Sequence, residues 1–474
     1  MKSGQSPIIL WFRRDLRLSD HPALAAAVRS RRPIVPVFIL DDQVQSLGAA
    51  PKWRLGLGLK AFAQSLEQTG SRLILRQGDA LDVLCDLIEE TGAGAVFWSR
   101  AYDPDAINRD KRIKAILAGQ GTEVRSFAGH LLFEPWTIAT KAGQPFRVFT
   151  PMWRSVHGRD VPSPELAPAR LTAPQTWPAT DQLVDWRLDQ NMRRGACVVQ
   201  PFVRPGEAAA LDQLDGFLER IDKYREQRDR LDDVGTSDLS EYLALGEIGP
   251  RAIWHRVQNA GWTGASGSET YLRQLVWREF AYHLMYHWPD LLTNNWKSEW
   301  DAFPWNTDPD VPEVWAWRRA RTGVPVVDAG LRQMYVTGRM HNRARMIVAS
   351  YLTKHLMTHW KIGADWFADC LTDWDPAANA MGWQWVAGSG PDAAPYFRIF
   401  NPMTQRERFD PNSEYLHRWV AEGCTDPSAT ALAYFDAAPR SWGLSREDLY
   451  PDPVVNLREG RARALHHYKT RKDQ

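Results

Sequence analysis

Residues 373–410 read DWDPAANAMGWQWVAGSGPDAAPYFRIFNPMTQRERFD. Asp373, Asp375, Asn379, Trp383, Trp385, an aromatic turn and a basic exit follow one another closely. A scaffold has little reason to gather carboxylates, an amide and indoles together. Such a set suits the wall of a pocket that wraps a redox cofactor and shows it to a ligand flat at one point and anionic around it. The stretch therefore reads as part of a ligand-holding domain.

Upstream, LDQLDGFLERIDKY, TYLRQLVWREFAYHLMYHW, HNRARMIVASYLTKHLMTHW and ADWFADCLTDW carry apolar residues at three- and four-residue spacing. The chain from about residue 207 thus reads as helical. Nearer the N-terminus the pattern changes. Residues 8–12, 35–40, 73–76, 95–98 and 124–127 read as strands, and 22–30, 52–67, 80–90 and 107–118 as helices. This alternation implies a parallel sheet covered on both faces, with right-handed crossovers. Between the halves, prolines recur in PSPELAPARLTAPQTWP and periodicity fades, so 129–200 reads as a long connection pinned to the surface. The expected fold is a Rossmann-like α/β parallel-sheet domain over 1–130, a linker over 131–200 and an all-helical domain over 201–474. The closing HHYKTRKDQ is expected to fray.

A length of 474 residues allows more than one core, and 44% apolar residues is ordinary for a globular chain. Twenty-three tryptophans exceed what packing requires and suggest ring stacking. Cys85, Cys197, Cys370 and Cys424 are scattered, which argues against a disulfide framework or a cysteine-held metal. The N-terminal MKSGQSPIILWFRRDLR is not a signal peptide, and no apolar run is long enough to span a bilayer. A soluble, cytoplasmic protein is expected. Net charge is only +1, yet Arg339, Arg343, Arg345, Arg398, Arg406 and Arg408 gather near the tryptophan-rich part. A local basic rim of that kind steers a polyanion.

Some motifs carry nothing. GLGLKA at 56–61 matches a loose dinucleotide fingerprint but lies inside a helical run, where small residues serve packing. The twelve histidines fall in no metal-ligand spacing, and His283 with His287 reads as packing. No metal is expected.

Other positions point to ligand chemistry. GTSDLS at 235–240 offers hydroxyls and free amides before a helix, either as a phosphate cradle or as an ordinary N-cap. Gln274 and Trp277 share a helix face, an amide beside an indole. Asn342 and Met346 are neighbours at i,i+4, an amide with a soft thioether, suited to a planar, partly apolar ligand. Arg345 in the same helix requires an anionic partner, Asp373 or Asp375.

WFRRDLRLSDHPAL at 11–24, RVFTPMWR at 147–154, TSDLSEYLALGEIGPR at 236–251, LVWREFAYHL at 275–284, TGVPVVDAGLRQM at 322–334 and GRMHNRARMIVASYL at 338–352 lie in order with the opening stretch. Across nearly its whole length the chain resembles the photolyase/cryptochrome flavoproteins, most closely the bacterial cyclobutane pyrimidine dimer photolyases of class I/III type. The resemblance implies an α/β antenna domain, a linker and a helical FAD-binding domain. It implies light-driven repair of pyrimidine dimers by electron transfer from reduced FAD, with a flipped dimer in DNA as partner and a monomeric enzyme. A second antenna chromophore, a folate, deazaflavin or flavin, is open, with SRAYDPDAINRD at 99–110 in the expected place.

Carried over residue by residue, the resemblance makes Tyr224, Thr236, Ser237, Leu239 and Ser240 contacts of the FAD phosphates and ribityl chain. Arg278, Asn342, Arg345, Asp373 and Asp375 become its remaining polar shell, and Asn379 faces flavin N5. Trp383, Trp360 and Trp305 match the relay that photoreduces FAD from the surface. Gln274, Trp277, Asn342, Met346 and Trp385 form the substrate wall, and Arg343, Arg398 and Arg408 hold phosphates. Three departures stand out. Gln274 replaces the glutamate usual in repair enzymes, TSDLSE brings Asp238 and Glu241 to what is expected to be a DNA-facing rim, and AMG at 380–382 follows Asn379. They leave a cryptochrome-like blue-light photoreceptor as the alternative.

Overall fold

The structure, a computed structural model, describes residues 6–192, 195–260, 266–392 and 397–471. Pro395 and Tyr396 of the aromatic turn, and residues 472–474 of the tail, lie outside the described residues.

Five strands form one parallel sheet: β1 (Ile8–Phe12), β2 (Ile34–Leu40), β3 (Ile74–Gln77), β4 (Ala95–Ser99) and β5 (Glu123–Phe127), in the order β3-β2-β1-β4-β5. Each lies within a residue of its expected place. Helices α1 (Pro22–Arg29), α2 (Ala49–Gln68), α3 (Ala80–Thr91) and α4 (Pro104–Gly119) alternate with them. In β1 the residues Ile8, Leu10 and Phe12 enter one core and Ile9 with Trp11 the other. Two apolar faces per strand are what a sheet covered on both sides demands.

The segment after β5 departs from the surface connection expected of it. Helix α5 (Phe149–Val156) buries Phe149, Met152 and Val156 in the core of the helical half. Farther on the chain follows the free edge of the sheet. Leu75 N–H donates to Thr180 Oγ1 at 2.9 Å, and Leu75 carbonyl accepts from Asp181 N at 2.9 Å. An unpaired parallel edge is thereby covered.

The helical half is built around α6 (Ser240–Leu245), α7 (Ser266–His287), α8 (Pro325–Thr337), α9 (Asn342–Ser350), α10 (Trp360–Cys370), α11 (Pro376–Ala387) and α12 (Leu457–Thr470), with a π-helical turn at Tyr351–His355. As far as Arg471 the tail does not fray as expected: residues 466–470 belong to α12, where Tyr468 stacks on Phe397 at 4.5 Å and Arg471 lies 4.1 Å over Trp300. Ring contacts outweigh the polar composition of its last turn.

The halves are joined by a buried ion cluster. Arg54 of α2 donates to Glu247 and to Glu241, and Arg339 reaches Glu241 at 3.0 Å. A Cβ at Gly58 would stand 3.0 Å from Glu247 Oε1, so this glycine of GLGLKA serves the close approach, while Gly56 packs against Leu188. Glu241 is 1% exposed. It is an interior partner of two arginines and not an acid on a DNA-facing rim. Arg339 is likewise drawn inward. Among the described residues no helix is long and apolar enough to cross a membrane.

Candidate functional site

Asp375 begins α11 by accepting the Ala378 N–H at 2.9 Å, Pro376 occupies its first turn, and Gly388 at φ 93° ends it. This frame fixes Asn379 and Trp383 one turn apart on one face. Helix α10 presses against them. A Cβ at Gly363 would lie 2.1 Å from the Trp383 ring, so only glycine permits the contact.

Helices α7, α9, α10 and α11 enclose a cavity of about 420 Å³. Gln274, Trp277, Asn342 and Met346 line it from one side, Asp373, Asp375, Asn379 and Trp383 from another, and Trp385 and Arg345 complete the wall. Arg345 Nη2 donates to Asp373 Oδ2 at 2.7 Å, and the Ser240 hydroxyl reaches the same oxygen at 2.6 Å. Of the two partners open to Arg345, Asp373 is the one it takes. Asp375 turns instead to Arg14 of the α/β domain at 3.0 Å and to the Tyr282 hydroxyl. Burial pushes Asp375 up, but Arg14 and Arg278 outweigh it and hold the carboxyl below the ordinary carboxylate range.

Asn379 Nδ2 donates to Ala364 O at 3.0 Å, which fixes its amide plane. Trp277 stacks on Phe149 at 3.8 Å and 9°, so linker and helical domain build one flat wall together. Asn342 Nδ2 lies 3.7 Å from Met346 Sδ. Among the described residues Gln274 is held by a 3.5 Å contact to Thr270 O, and its amide lines the cavity.

Several expected site residues stand elsewhere. Arg278 is not on the cavity wall: it donates to His130 O at 3.0 Å and lies 4.9 Å over the Tyr282 ring. Buried acceptors of the α/β domain draw it to the far side of α7. Tyr224 packs edge-on against Phe217, Ser237 Oγ accepts from the Tyr271 hydroxyl at 3.2 Å, and Leu239 is core. Thr236 Oγ1 donates to Asp238 at 2.8 Å, and Asp238 takes φ 52°, so α6 starts without a side-chain cap. Of this group Ser240 reaches the wall, through Asp373.

Trp360 donates Nε1 to Asn295 at 2.8 Å, and His359 lies between it and Trp305, at 5.5 Å and 5.2 Å. Burial pushes His359 down to about 4, so a neutral imidazole separates the indoles. Trp305 does not open to the surface. It is 7% exposed and stacked under Trp300 at 5.4 Å, with Tyr468 and Arg471 of α12 beyond. Arg343 pairs with Asp229 at 2.9 Å and stacks on Phe409, while Arg398 and Arg408 are exposed.

Three wall or support residues carried no sequence signal of their own: Arg228 and Trp374 on the wall, and Arg14 beneath Asp375. Arg14 sits in the quoted WFRRDLR, but only the contact between domains shows its use.

A second cavity, about 560 Å³, opens at the carboxyl ends of β1, β2 and β4, lined by Trp11, Ile39, Ser99, Tyr102 and Arg109. The strand order reverses between β1 and β4, where open α/β sheets hold ligands. Residues 99–106 and Arg109 contribute to it, as the antenna reading of 99–110 requires. Among the described residues no cluster suits a metal ion.

The helical cavity fits a large ligand with a flat face and hydrogen-bonding edges. Asp373 Oδ1, Trp374 Nε1 and Trp383 Nε1, all on residues of its wall, are buried without hydrogen-bond partners among the described residues. A Cβ at Gly382 would meet nothing within 4 Å, so the wall is open there.

Comparisons agree with this architecture. Residues 271–470 match the FAD binding domain of DNA photolyase, and residues 8–169 match DNA photolyase. A deoxyribodipyrimidine photo-lyase of Agrobacterium fabrum is 46% identical, over 99% of this chain and 98% of the relative. A solved bacterial class III photolyase from Agrobacterium tumefaciens superposes with a TM-score of 0.90 at 44% identity, covering 99% and 98% of the two chains. Cryptochrome-1 of Arabidopsis thaliana is 32% identical over 96% of this chain and 69% of its own length. With an α/β sheet domain, a helical cavity that fits FAD, and relatives of this identity over its full length, the chain belongs to the DNA photolyase family.

Proposed function

We propose that the protein repairs cyclobutane pyrimidine dimers in DNA, driven by light, with FAD in the helical cavity. One observation carries the reading: a single cavity joins the polar set Arg345, Asp373 and Asn379 to the flat set Gln274, Trp277, Asn342, Met346 and Trp385. When bound, reduced FAD supplies the photoexcited electron that opens the cyclobutane ring.

The protein's own residues do the rest. Arg345 balances the Asp373 charge beside the flavin ring, Asn379 presents a neutral amide to it, and Ser240, with Tyr224, Thr236, Ser237 and Leu239 behind, lies toward the ribityl and phosphate end. Arg278 acts from behind the wall, through Asp375. Gln274 and Asn342 hydrogen-bond a flipped dimer whose rings lie against Trp277, Trp385 and Met346, and its weakened pairing makes extrusion from the duplex cheap. Arg343, Arg398 and Arg408 hold the flanking phosphates without reading sequence. Trp383, Trp360 and Trp305 conduct electrons toward the cavity. A second chromophore occupies the cavity at the sheet ends. Residues 1–130 are the antenna domain, 131–200 the linker and 201–474 the catalytic domain. The described residues of one chain line the cavity, in keeping with an enzyme that acts as a monomer, and a DNA substrate is in keeping with a cytoplasmic one.

Gln274 is what favours a cryptochrome-like photoreceptor as the second reading, since an amide in place of the glutamate cannot donate a proton to the lesion. The test is illumination of the reduced holoprotein with dimer-containing single- and double-stranded oligonucleotides. Restored thymines are expected. Flavin retention without restored thymines would leave the photoreceptor reading standing, and a chain that retains no flavin would end both.

A further inference from the structure

We infer that Tyr282 and Tyr102 form a second, proton-coupled electron route, from Trp136 at the surface to the helical cavity on its α/β-domain side. The inference rests on the flavin reading and concerns residues outside the tryptophan relay.

The geometry is a row of rings with a base at each phenol. Trp136 is 48% exposed, and its ring lies 6.4 Å from Tyr102. Tyr102 lies 6.3 Å from Tyr282, and both tyrosines are buried. The Tyr282 hydroxyl donates to Asp375, a residue of the cavity wall. The Tyr102 hydroxyl donates to Glu134 Oε1 at 3.0 Å, and Glu134 Oε2 is buried without a partner. His130 Nε2 lies 2.8 Å from the Tyr282 hydroxyl and 2.8 Å from Arg278 Nη2. The one lone pair of that nitrogen accepts from arginine, so the imidazole offers the phenol no hydrogen there and Asp375 is the phenol's acceptor.

Charge explains why such a path uses phenols. Arg278 lies 4.9 Å over the Tyr282 ring and Arg14 pairs with Asp375 beside it, which makes a cationic radical there costly. Moving the phenolic proton to the carboxylate as the electron leaves keeps the tyrosine neutral, and the cluster's change is the loss of the carboxylate's negative charge. Burial pushes Tyr282 above the ordinary phenol range while Asp375 is held low, so donor and acceptor start in the required states.

Tyr282 gives one electron to the light-excited oxidised flavin of the loaded protein, and its O–H bond breaks with the proton going to Asp375 Oδ2. Tyr102 passes an electron to the Tyr282 radical, which recovers its proton from Asp375, while the Tyr102 proton moves to Glu134. Trp136 then reduces Tyr102, which recovers that proton, and Trp136 loses its indole proton to water. An external thiol restores Trp136.

The test uses flavin-loaded protein, oxidised, with dithiothreitol under blue light. Flavin content is read first by absorption. Trp360→Phe, which interrupts the tryptophan relay, is expected to keep measurable photoreduction. Freeze-trapping should then give a neutral tyrosyl radical by electron paramagnetic resonance, its splitting altered by ring-deuterated tyrosine, and the rate should slow at least twofold in heavy water. Adding Tyr282→Phe should remove the signal and slow the remaining photoreduction at least tenfold. Adding Tyr102→Phe should slow the photoreduction likewise but leave a tyrosyl signal from Tyr282, and serves if Tyr282→Phe does not fold. Flavin-loaded Trp360→Phe protein without photoreduction, or double variants as fast as Trp360→Phe, would overturn the route and leave the repair function intact. A wild-type chain that takes up no flavin would overturn both.

Discussion

Arg345 and Asp373 form a one-sided pair: Nη2 meets Oδ2 at 2.7 Å, while the buried Oδ1 has no protein partner. An oxygen so placed wants a donor from the ligand. Asp373→Asn is expected to weaken FAD retention by about tenfold or more, the scale of a hydrogen bond to a charged group. Flavin absorbance after gel filtration, with circular dichroism to show an intact fold, checks this.

The Gln274 amide reaches the same cavity as Asn342 and Met346 and, among the described residues, is tied by a 3.5 Å contact to Thr270. Replacing it by a carboxyl adds a charge-assisted partner worth about 1 kcal/mol. Gln274→Glu is expected to raise dimer repair about fivefold at constant light dose, read as thymines restored per photon. Unchanged repair would mean that neighbouring groups already supply the interaction.

Asp238 and Glu241, three positions apart in the motif, have opposite fates. Asp238 is exposed, and Asp238→Arg is expected to tighten binding of dimer-containing DNA and steepen its logarithmic salt dependence by about one. Glu241 is buried against Arg54 and Arg339, and Glu241→Gln is expected to cost about 3 kcal/mol of stability. Salt-titrated binding and urea denaturation separate the two.

His283 is fully buried, and its Nε2 accepts the Phe146 N–H at 3.0 Å. Burial, with His287 beside it, pushes the imidazole down to about 4. A base with a lowered folded pKa is neutral in the folded chain and charges first in the unfolded one. Its contribution is present above the unfolded value near 6.5 and is lost as pH falls toward 4, by up to about 3 kcal/mol. Urea denaturation at pH 7, 5.5 and 4 should show that loss, smaller in His283→Gln.

The sheet was legible to within a residue because both faces of the inner strands β1, β2 and β4 are apolar and helices of ordinary length separate the strands. Asn342 and Met346 were legible because a helix puts i and i+4 side by side whatever surrounds it. The sequence did not reveal that Phe149 would complete the wall behind Trp277, that Tyr468 and Arg471 would cover the end of the tryptophan row, or that Glu241 would face inward. Each depends on segments far apart in the chain.

Local periodicity and short-range side-chain geometry, carried by the sequence alone, determined the two kinds of domain and the membership of most of the cavity wall. Tertiary structure decided which carboxylate Arg345 takes, which way Arg278 turns, and that Arg14 crosses from the sheet domain to hold Asp375. Charges choose partners by distance and burial, and neither exists until the domains pack.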